Sequence, residues 1–107
     1  MTDIATIARF PEVKKVVRTD RQGTLIDSLR EPDPEGVAAV AGFVVGALVQ
    51  AGDQLGLGAL RRVVATGPRY ADLAAVSERT IILLRIEPAS AVAAAEKALD
   101  APSQGRK

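Results

Sequence analysis

Four acidic residues lie close together in the sequence: Asp27, Glu31, Asp33 and Glu35. Carboxylates are ligands that Ca²⁺ prefers, so a cation-binding loop is the first chemistry to consider. Such a loop alternates its ligands around a glycine, whereas prolines interrupt this segment. We therefore interpret the acidic residues as helix-capping and surface groups, with cation binding as the alternative.

A second group of residues with possible chemistry is basic: Lys14, Lys15, Arg18, Arg61 and Arg62. An arginine supplied to a GTPase can stabilise the charge that develops on the transferred phosphoryl group. Arginines on strands more commonly pair with carboxylates on the surface. We prefer this second interpretation and predict no catalytic residue.

Several classes of function are disfavoured by composition. The chain of 107 residues has no His and no Cys, so it lacks imidazole bases, thiolate nucleophiles, disulfides and Cys/His zinc sites. A net charge of +1 and only three aromatic residues argue against nucleic-acid binding. The segment "LGLG" (55–58) follows a predicted helix, whereas a phosphate-binding glycine turn follows a strand. We predict no enzymatic activity, cofactor or metal.

Turn and cap signals divide the chain into a regular series of elements. A short helix is predicted to end near Phe10, and "DRQG" (20–23) to join two strands, Val13 to Thr19 and Thr24 to Leu29. The later segments are predicted as strands over 59–67, 70–79 and 80–88 and a helix over 90–100, with Ser90 as its cap. The second of these strands carries the weakest signal, because Ala and Asp are poor strand formers. The predicted order is helix, two strands, long helix, three strands, helix. Residues 1–100 form one predicted domain, and residues 101–107 a disordered polar tail.

The long helix is predicted to begin at Pro34, capped by Asp33, and to end near Leu55 before Gly56. Its uncharged stretch is about 17 residues, or about 25 Å, which is short against a hydrocarbon core of about 30 Å. Acidic residues flank it where a membrane span usually has Lys, Arg or aromatic anchors. We therefore predict no membrane span. The N-terminal residues have no apolar signal-peptide segment, and we expect a cytoplasmic protein.

A helical wheel separates two faces of this helix. A bulky apolar stripe is expected to cover a sheet: Val37, Val40, Val44, Leu48, Ala51 and Leu55. The opposite face is small at its centre, with Gly42 and Gly46, and each glycine costs about 1 kcal/mol against alanine within a helix. This cost indicates close packing of a second helix, which belongs either to another subunit or to the C-terminal helix of the same chain.

The order of elements, together with the motifs "FPEV", "TDRQG", "LGLG" and "TIILLRIEP", resembles the Roadblock / dynein light chain family, which is related to the longin fold. The resemblance covers roughly residues 4–99. It implies an α/β (α+β) protein with a five-stranded antiparallel sheet, a long helix on one face and the order α-β-β-α-β-β-β-α.

The resemblance also implies a dimer. Family members typically pair through the long helix and the strand that follows it, so that two sheets join into one. Carried over to this chain, the dimer interface comprises Ala39, Gly42, Phe43, Gly46, Val49, Gln50, Leu60, Arg61, Arg62, Val63, Val64 and Ala65. The partner is a second copy or another Roadblock-like chain.

Family members usually act without catalysis, as regulators or scaffolds, and many bacterial and archaeal ones work with Ras-like small GTPases. The resemblance therefore implies a homodimeric regulator that binds such a GTPase and modulates its nucleotide cycle. The alternative is a structural adaptor in a larger complex, with no effect on GTP turnover.

Overall fold

The computed structural model describes residues 3–100; the tail predicted to be disordered, 101–107, lies outside the described residues. The elements follow the predicted order. They are α1 (Ile4–Ala8), β1 (Val13–Asp20), β2 (Leu25–Leu29), α2 (Pro34–Gln54), β3 (Arg62–Thr66), β4 (Ala71–Val76), β5 (Thr80–Ile86) and α3 (Val92–Asp100), with a 3₁₀ turn (Ala89–Ala91) before α3.

The strands form one antiparallel sheet of five, in the order β2-β1-β5-β4-β3. The predicted fold class is thus confirmed. Strands β2 and β3 are the two edges. Strand β3 pairs with β4 over its whole length without a register shift, whereas β1 and β2 have an irregularity between Arg18 and Thr19.

Local chemistry explains the tight β1–β2 turn. The Asp20 carboxylate accepts hydrogen bonds from the backbone N–H groups of Gln22 and Thr24, both at 2.9 Å. Gly23 has a φ of +91°, a conformation that glycine adopts without steric cost. The turn therefore forms where "DRQG" predicts it.

Strand β4 is confirmed in spite of its weak signal in the sequence. It lies between β5 and β3, and Ala71, Leu73, Ala74 and Val76 are buried. Pairing on both sides and burial outweigh the low strand propensity of Ala and Asp, because strand propensity depends strongly on context.

Two apolar layers enclose the sheet. One face packs against α1 and α3 through Ile7, Val16, Leu73, Leu84 and Ala95. The other face packs against α2 through Val45, Ala74, Val76 and Ile81. These two layers leave much of α2 on the surface.

The caps of the helices are partly as predicted. The Asp33 carboxylate accepts a hydrogen bond from the N–H of Gly36 at 3.3 Å, which confirms the cap of α2. The predicted capping role of Ser90 is wrong, because Ser90 lies inside the 3₁₀ turn. Pro88 stands at the cap position, and the N–H of Ala89 donates to the carbonyl oxygen of Arg69 at 3.2 Å. This hydrogen bond fixes the backbone before Ser90, so the 3₁₀ turn begins at Ala89 and includes Ser90.

Candidate functional site

Helix α2 packs on the sheet through small residues. Its buried positions are Ala38, Ala41, Gly42, Val45 and Gly52. The expectation that the bulky stripe from Val37 to Leu55 covers the sheet is therefore wrong. The small residues let the helix approach the sheet and the β1–β2 turn closely.

The closest approach involves Gly42. A Cβ atom built on Gly42 would stand 2.6 Å from the Cα and 2.7 Å from the N of Gly23. A Cβ on Gly23 would in turn stand 3.1 Å from the carbonyl oxygen of Ala38. The partner that explains Gly42 is thus the β1–β2 turn of the same chain, and not a second helix.

The exposed side of α2 is apolar. Phe43 is 79% exposed and Val40 is 63% exposed, and Val44 and Leu48 are also exposed. We call Val40, Val44 and Leu48 the apolar stripe, and Phe43 the crest. A solvated helix face normally carries charged residues, so this surface is suited to a protein partner.

Periodicity alone does not distinguish these two sides. Residues 36–52 contain no charge, so an apolar stripe can be drawn on more than one face of the helix. The spacing of small residues does not identify the buried side either, because Ala38, Gly42 and Gly52 are buried whereas the equally small Ala39 and Gly46 are exposed. Among described helices, α2 alone is long and apolar enough for a membrane span by length and composition, a test that core helices of soluble proteins also pass.

Strand β3 presents an open edge beside this helix. The carbonyl oxygen of Arg61 accepts from the N–H of Val76 at 2.9 Å, and the N–H of Gly67 donates to the carbonyl oxygen of Tyr70 at 2.9 Å. Because backbone groups alternate along an antiparallel pair, the intervening residue Val64 directs its N–H and C=O away from β4. The edge also lacks a bulge, a proline or a lysine to block further pairing.

A groove of about 550 Å³ lies between α2 and the strands β1, β3, β4 and β5. Its wall on the helix includes Val37, Val40 and Val44, and its floor includes Val63 and Leu83. We call it the α2–β3 groove. Its lining is mainly apolar along the helix, and it extends to the edge strand.

Ion pairs occupy one end of the α2–β3 groove. Arg85 donates to both carboxylate oxygens of Asp72, at 2.6 and 3.1 Å, and its guanidinium stacks 4.0 Å from the centroid of the Tyr70 ring. The hydrogen bonds that Arg85 donates to the Asp72 carboxylate raise the pKa of Arg85 further above its ordinary value. Lys15 pairs with Glu31 at 3.6 Å. These pairs leave each carboxylate with a neighbouring cation.

The predicted interface residues are distributed over two environments. Val49, Leu60 and Val63 pack partly into the layer beneath α2, and Gly42 packs on the β1–β2 turn. The others lie on the surface: Ala39, Phe43, Gly46, Gln50, Arg61, Arg62, Val64 and Ala65. No atom lies within 4 Å of a Cβ built on Gly46. The dimer interface as a whole stays a prediction.

The charged groups singled out in the sequence serve as pairs and caps. Arg18 forms two hydrogen bonds with Asp27, at 2.9 and 2.8 Å. Glu31 pairs with Lys15, and Asp33 caps α2. Within residues 3–100, no group of three or more acidic residues is arranged to hold a metal ion.

Solved structures show which known fold this is. A structure of MglB from Myxococcus xanthus matches with a TM-score of 0.80 and 14% identity, over 88% of this chain and 80% of that chain. A Roadblock/LC7 domain from Streptomyces avermitilis matches with a TM-score of 0.72 and 19% identity, over 91% and 90% of the two chains. The gliding protein MglB from Thermus thermophilus matches with a TM-score of 0.69 and 15% identity, over 90% and 84%.

The chain therefore has the Roadblock/LC7 fold, as the resemblance in its sequence implies. No family model matches the sequence, and no curated protein matches it. At these identities the similarity concerns the fold.

Proposed function

We propose that this chain is a non-catalytic, cytoplasmic homodimer that binds a Ras-like small GTPase and modulates its nucleotide cycle. The observation that carries the proposal is an uncharged, exposed side of α2 beside an open β3 edge, on a Roadblock fold. Similarity to gliding protein MglB supports a regulatory role. The class of the partner, a Ras-like GTPase, is inferred from the resemblance of the sequence to the Roadblock / dynein light chain family.

Self-association follows from the β3 edge. An unprotected edge strand is a template for pairing with another chain, and a second copy offers the same strand. Antiparallel self-pairing centred near Val64 sets Arg62 opposite the Thr66 end of the partner's strand. Parallel pairing would instead set equal arginines side by side, which is destabilising. The charge of β3 is thus compatible with an antiparallel copy of itself.

The contact with the GTPase is assigned to the helix or sheet surface that the dimer leaves exposed. Phe43, the most exposed of the large apolar side chains described, belongs with Ala39 and Gln50 to the predicted dimer interface. Aromatic residues are enriched among those that carry most of the binding energy at interfaces, so Phe43 is expected to hold the two copies together. Binding of the GTPase to the dimer would shift the switch conformation of the GTPase.

The groups near the α2–β3 groove fit a role without catalysis. Asp72 and Glu31, which line it, are held by Arg85 and Lys15. No histidine or cysteine is available to act as base or nucleophile. We therefore assign the modulation of GTP turnover to contacts with the GTPase, whose own residues perform the chemistry.

The test uses a purified Ras-like GTPase from the same genome, loaded with GTP. Single-turnover hydrolysis and nucleotide release are measured with and without this protein, together with binding by calorimetry. We expect binding and a changed rate, both lost in Phe43→Ser together with the dimer, whose mass is measured by light scattering. The control is Ile26→Ser, which removes an exposed apolar side chain from β2 and should leave both intact. Binding without any change in rate would instead identify an adaptor.

A further inference from the structure

We propose that the C-terminal end of α2 makes a peripheral contact with a membrane surface of anionic lipids. Leu55 and Leu57 enter the boundary between headgroups and acyl chains, and arginines at the same end of the sheet bind the lipid phosphates. The protein lies on the membrane in this contact and does not span it. The contact requires neither the GTPase nor a second copy, and neither leucine belongs to the predicted dimer interface.

Backbone hydrogen bonds fix the position of the leucines at the end of α2. The N–H of Leu57 donates to the carbonyl oxygen of Gly52 at 3.0 Å, and the N–H of Gly56 donates to the carbonyl oxygen of Asp53 at 3.1 Å. Together with the φ of +71° at Gly56, these two bonds form a Schellman motif. Leu57 therefore occupies a defined place directly after the helix.

This motif gives Leu57 little to pack against. An apolar residue at its position commonly contacts the side chain five or six positions earlier, which here belongs to Gly52 or Ala51. Gly52 has no side chain and Ala51 has a single methyl group. Leu57 is accordingly 73% exposed, and so is Leu55. Both leucines are thus held in place while their side chains remain available to a partner outside the chain.

Two turns and the start of β3 meet near these leucines. The guanidinium of Arg21, in the β1–β2 turn, donates to the carbonyl oxygen of Ser77, in the turn between β4 and β5, at 2.8 Å. The N–H of Val76 donates to the carbonyl oxygen of Arg61, just before β3, at 2.9 Å. Leu57 is four residues from Arg61, which is at most about 14 Å along the chain. The leucines and this end of the sheet can therefore reach one flat surface together.

This end of the molecule is net positive. Its turns, the start of β3 and the last turn of α2 carry four arginines against three acidic residues: Arg21, Arg61, Arg62 and Arg79 against Asp20, Asp53 and Glu78. The Asp20 carboxylate is already engaged by the N–H groups of its own turn. Cytoplasmic membrane surfaces are anionic and attract basic segments, and a guanidinium group can bind a phosphate through two hydrogen bonds. The charge is thus complementary to such a surface.

The small size of the apolar surface favours a membrane over a protein partner. A stable protein interface buries about 800 Å² on each side, of which two leucine side chains are a small part. A bilayer needs no complementary pocket, because binding strength comes from apolar area buried at the boundary and from attraction to anionic lipids. Leucines fixed at a helix end beside arginines supply both contributions.

The chain has no tryptophan, so a single one can report insertion. Leu57→Trp places the reporter at the proposed contact, and Ile26→Trp places a matched one at an exposed apolar position on β2. Each protein is mixed with vesicles of phosphatidylcholine, alone or with about one third phosphatidylglycerol. We expect a blue shift of the emission only for Leu57→Trp, and only with the anionic vesicles.

Cosedimentation with the same vesicles measures affinity. The Leu55→Ser, Leu57→Ser double variant should bind anionic vesicles at least about tenfold more weakly, whereas Ile26→Ser should bind as the natural chain does. Arg79→Gln should weaken binding about fivefold. Its matched control is Arg69→Gln, the same change of charge at an exposed residue beyond the opposite end of β4, which should have a smaller effect.

Three results would overturn the proposal. The first is natural protein that neither sediments with anionic vesicles nor shows the shift in Leu57→Trp, which would leave the leucines to a protein partner. The second is equal affinity of the natural chain and the leucine double variant. The third is a dimer that falls to monomer by light scattering in that double variant, which would assign the leucines to a contact between copies. Far-UV circular dichroism checks that each variant is folded, and none of these results decides whether the GTPase binds.

Discussion

Gly42 of α2 and Gly23 of the β1–β2 turn meet backbone to backbone: a Cβ on Gly42 would lie 2.6 Å from the Cα of Gly23. This contact sets the height of the helix above the sheet and its rotation about its own axis. With Gly42 turned inward, Val40 and Val44 are turned outward, toward the groove and solvent. The surface available to partners thus depends on two glycines inside the chain.

Replacing Gly42 by alanine should therefore destabilise the fold. The added Cβ meets backbone, which cannot move aside as a flexible side chain can. Overpacking of this kind costs about 1–3 kcal/mol, against a gain in helix propensity of about 1 kcal/mol. We expect a net loss of up to about 2 kcal/mol in the free energy of unfolding, measured by urea denaturation at fixed protein concentration.

The matched control is Gly46→Ala, one turn further along the same helix. Nothing lies within 4 Å of the added Cβ, so the gain in propensity of about 1 kcal/mol should be retained. We therefore expect Gly42→Ala to lower the free energy of unfolding and Gly46→Ala to raise it. Similar stabilities of the two would show that the contact with Gly23 does not hold the helix.

A proline at position 64 should separate the proposed dimer. The N–H of Val64 points away from β4, so Val64→Pro removes a donor that only a neighbouring strand beyond β3 would use. We expect a fall from dimer to monomer in light scattering, with the circular dichroism spectrum unchanged.

Val64→Thr is the control for that experiment, because threonine keeps the N–H and a high strand propensity. It should stay dimeric. A Val64→Pro protein that remains dimeric at low micromolar concentration would contradict pairing through the β3 edge, and would favour a dimer held by α2 alone.

The Arg85–Asp72 pair should contribute modestly to stability. Both side chains are about a third exposed (29% and 34%), so solvent screens the interaction. A double-mutant cycle with Arg85→Lys and Asp72→Asn should give a coupling free energy of about 0.5–1 kcal/mol, because lysine cannot make both hydrogen bonds of the guanidinium.

Arg18 and Asp27 provide a matched comparison, since they form the same two-bond pair without a stacked ring. The difference between the two cycles reports the contribution of Tyr70. Identical coupling, or coupling that does not fall when salt is raised, would contradict the assigned contacts.

Acid should release the cap of α1. The Asp3 carboxylate accepts the N–H of Thr6 at 2.8 Å, and this hydrogen bond holds the pKa of Asp3 below its ordinary value. A lowered pKa in the folded state stabilises the fold above about pH 4, and this contribution is lost as the pH falls through the lowered pKa.

The measurement compares the free energy of unfolding against pH for the natural chain and Asp3→Asn. Asparagine also caps helices but does not titrate. As the pH falls below about 4, the natural chain should lose more stability than the variant. Parallel curves would show that Asp3 has the same pKa in the folded and unfolded states.

The sequence by itself determined where most elements begin and end. Asp33 with Pro34 starts α2, Gly56 follows its end with a φ of +71°, and Asp20 with Gly23 makes the first turn. Each signal acts through hydrogen bonds or backbone angles within a few residues, so it can be read without the rest of the chain. The prediction that Ser90 caps the last helix was wrong for a related reason. The hydrogen bond that displaces this cap is accepted by Arg69, which is distant in the sequence and so cannot be read from local signals.

Only the tertiary structure decided which side of α2 is buried. An uncharged helix satisfies the hydrophobic effect in several rotations, since burial of apolar area is not directional. Backbone contact is directional, and the meeting of Gly42 with Gly23, 19 positions apart in the sequence, selects one rotation. That selection leaves Val40, Phe43 and Val44 exposed and forms the wall of the α2–β3 groove. The candidate surface is therefore a consequence of packing between distant segments, which no local pattern in α2 records.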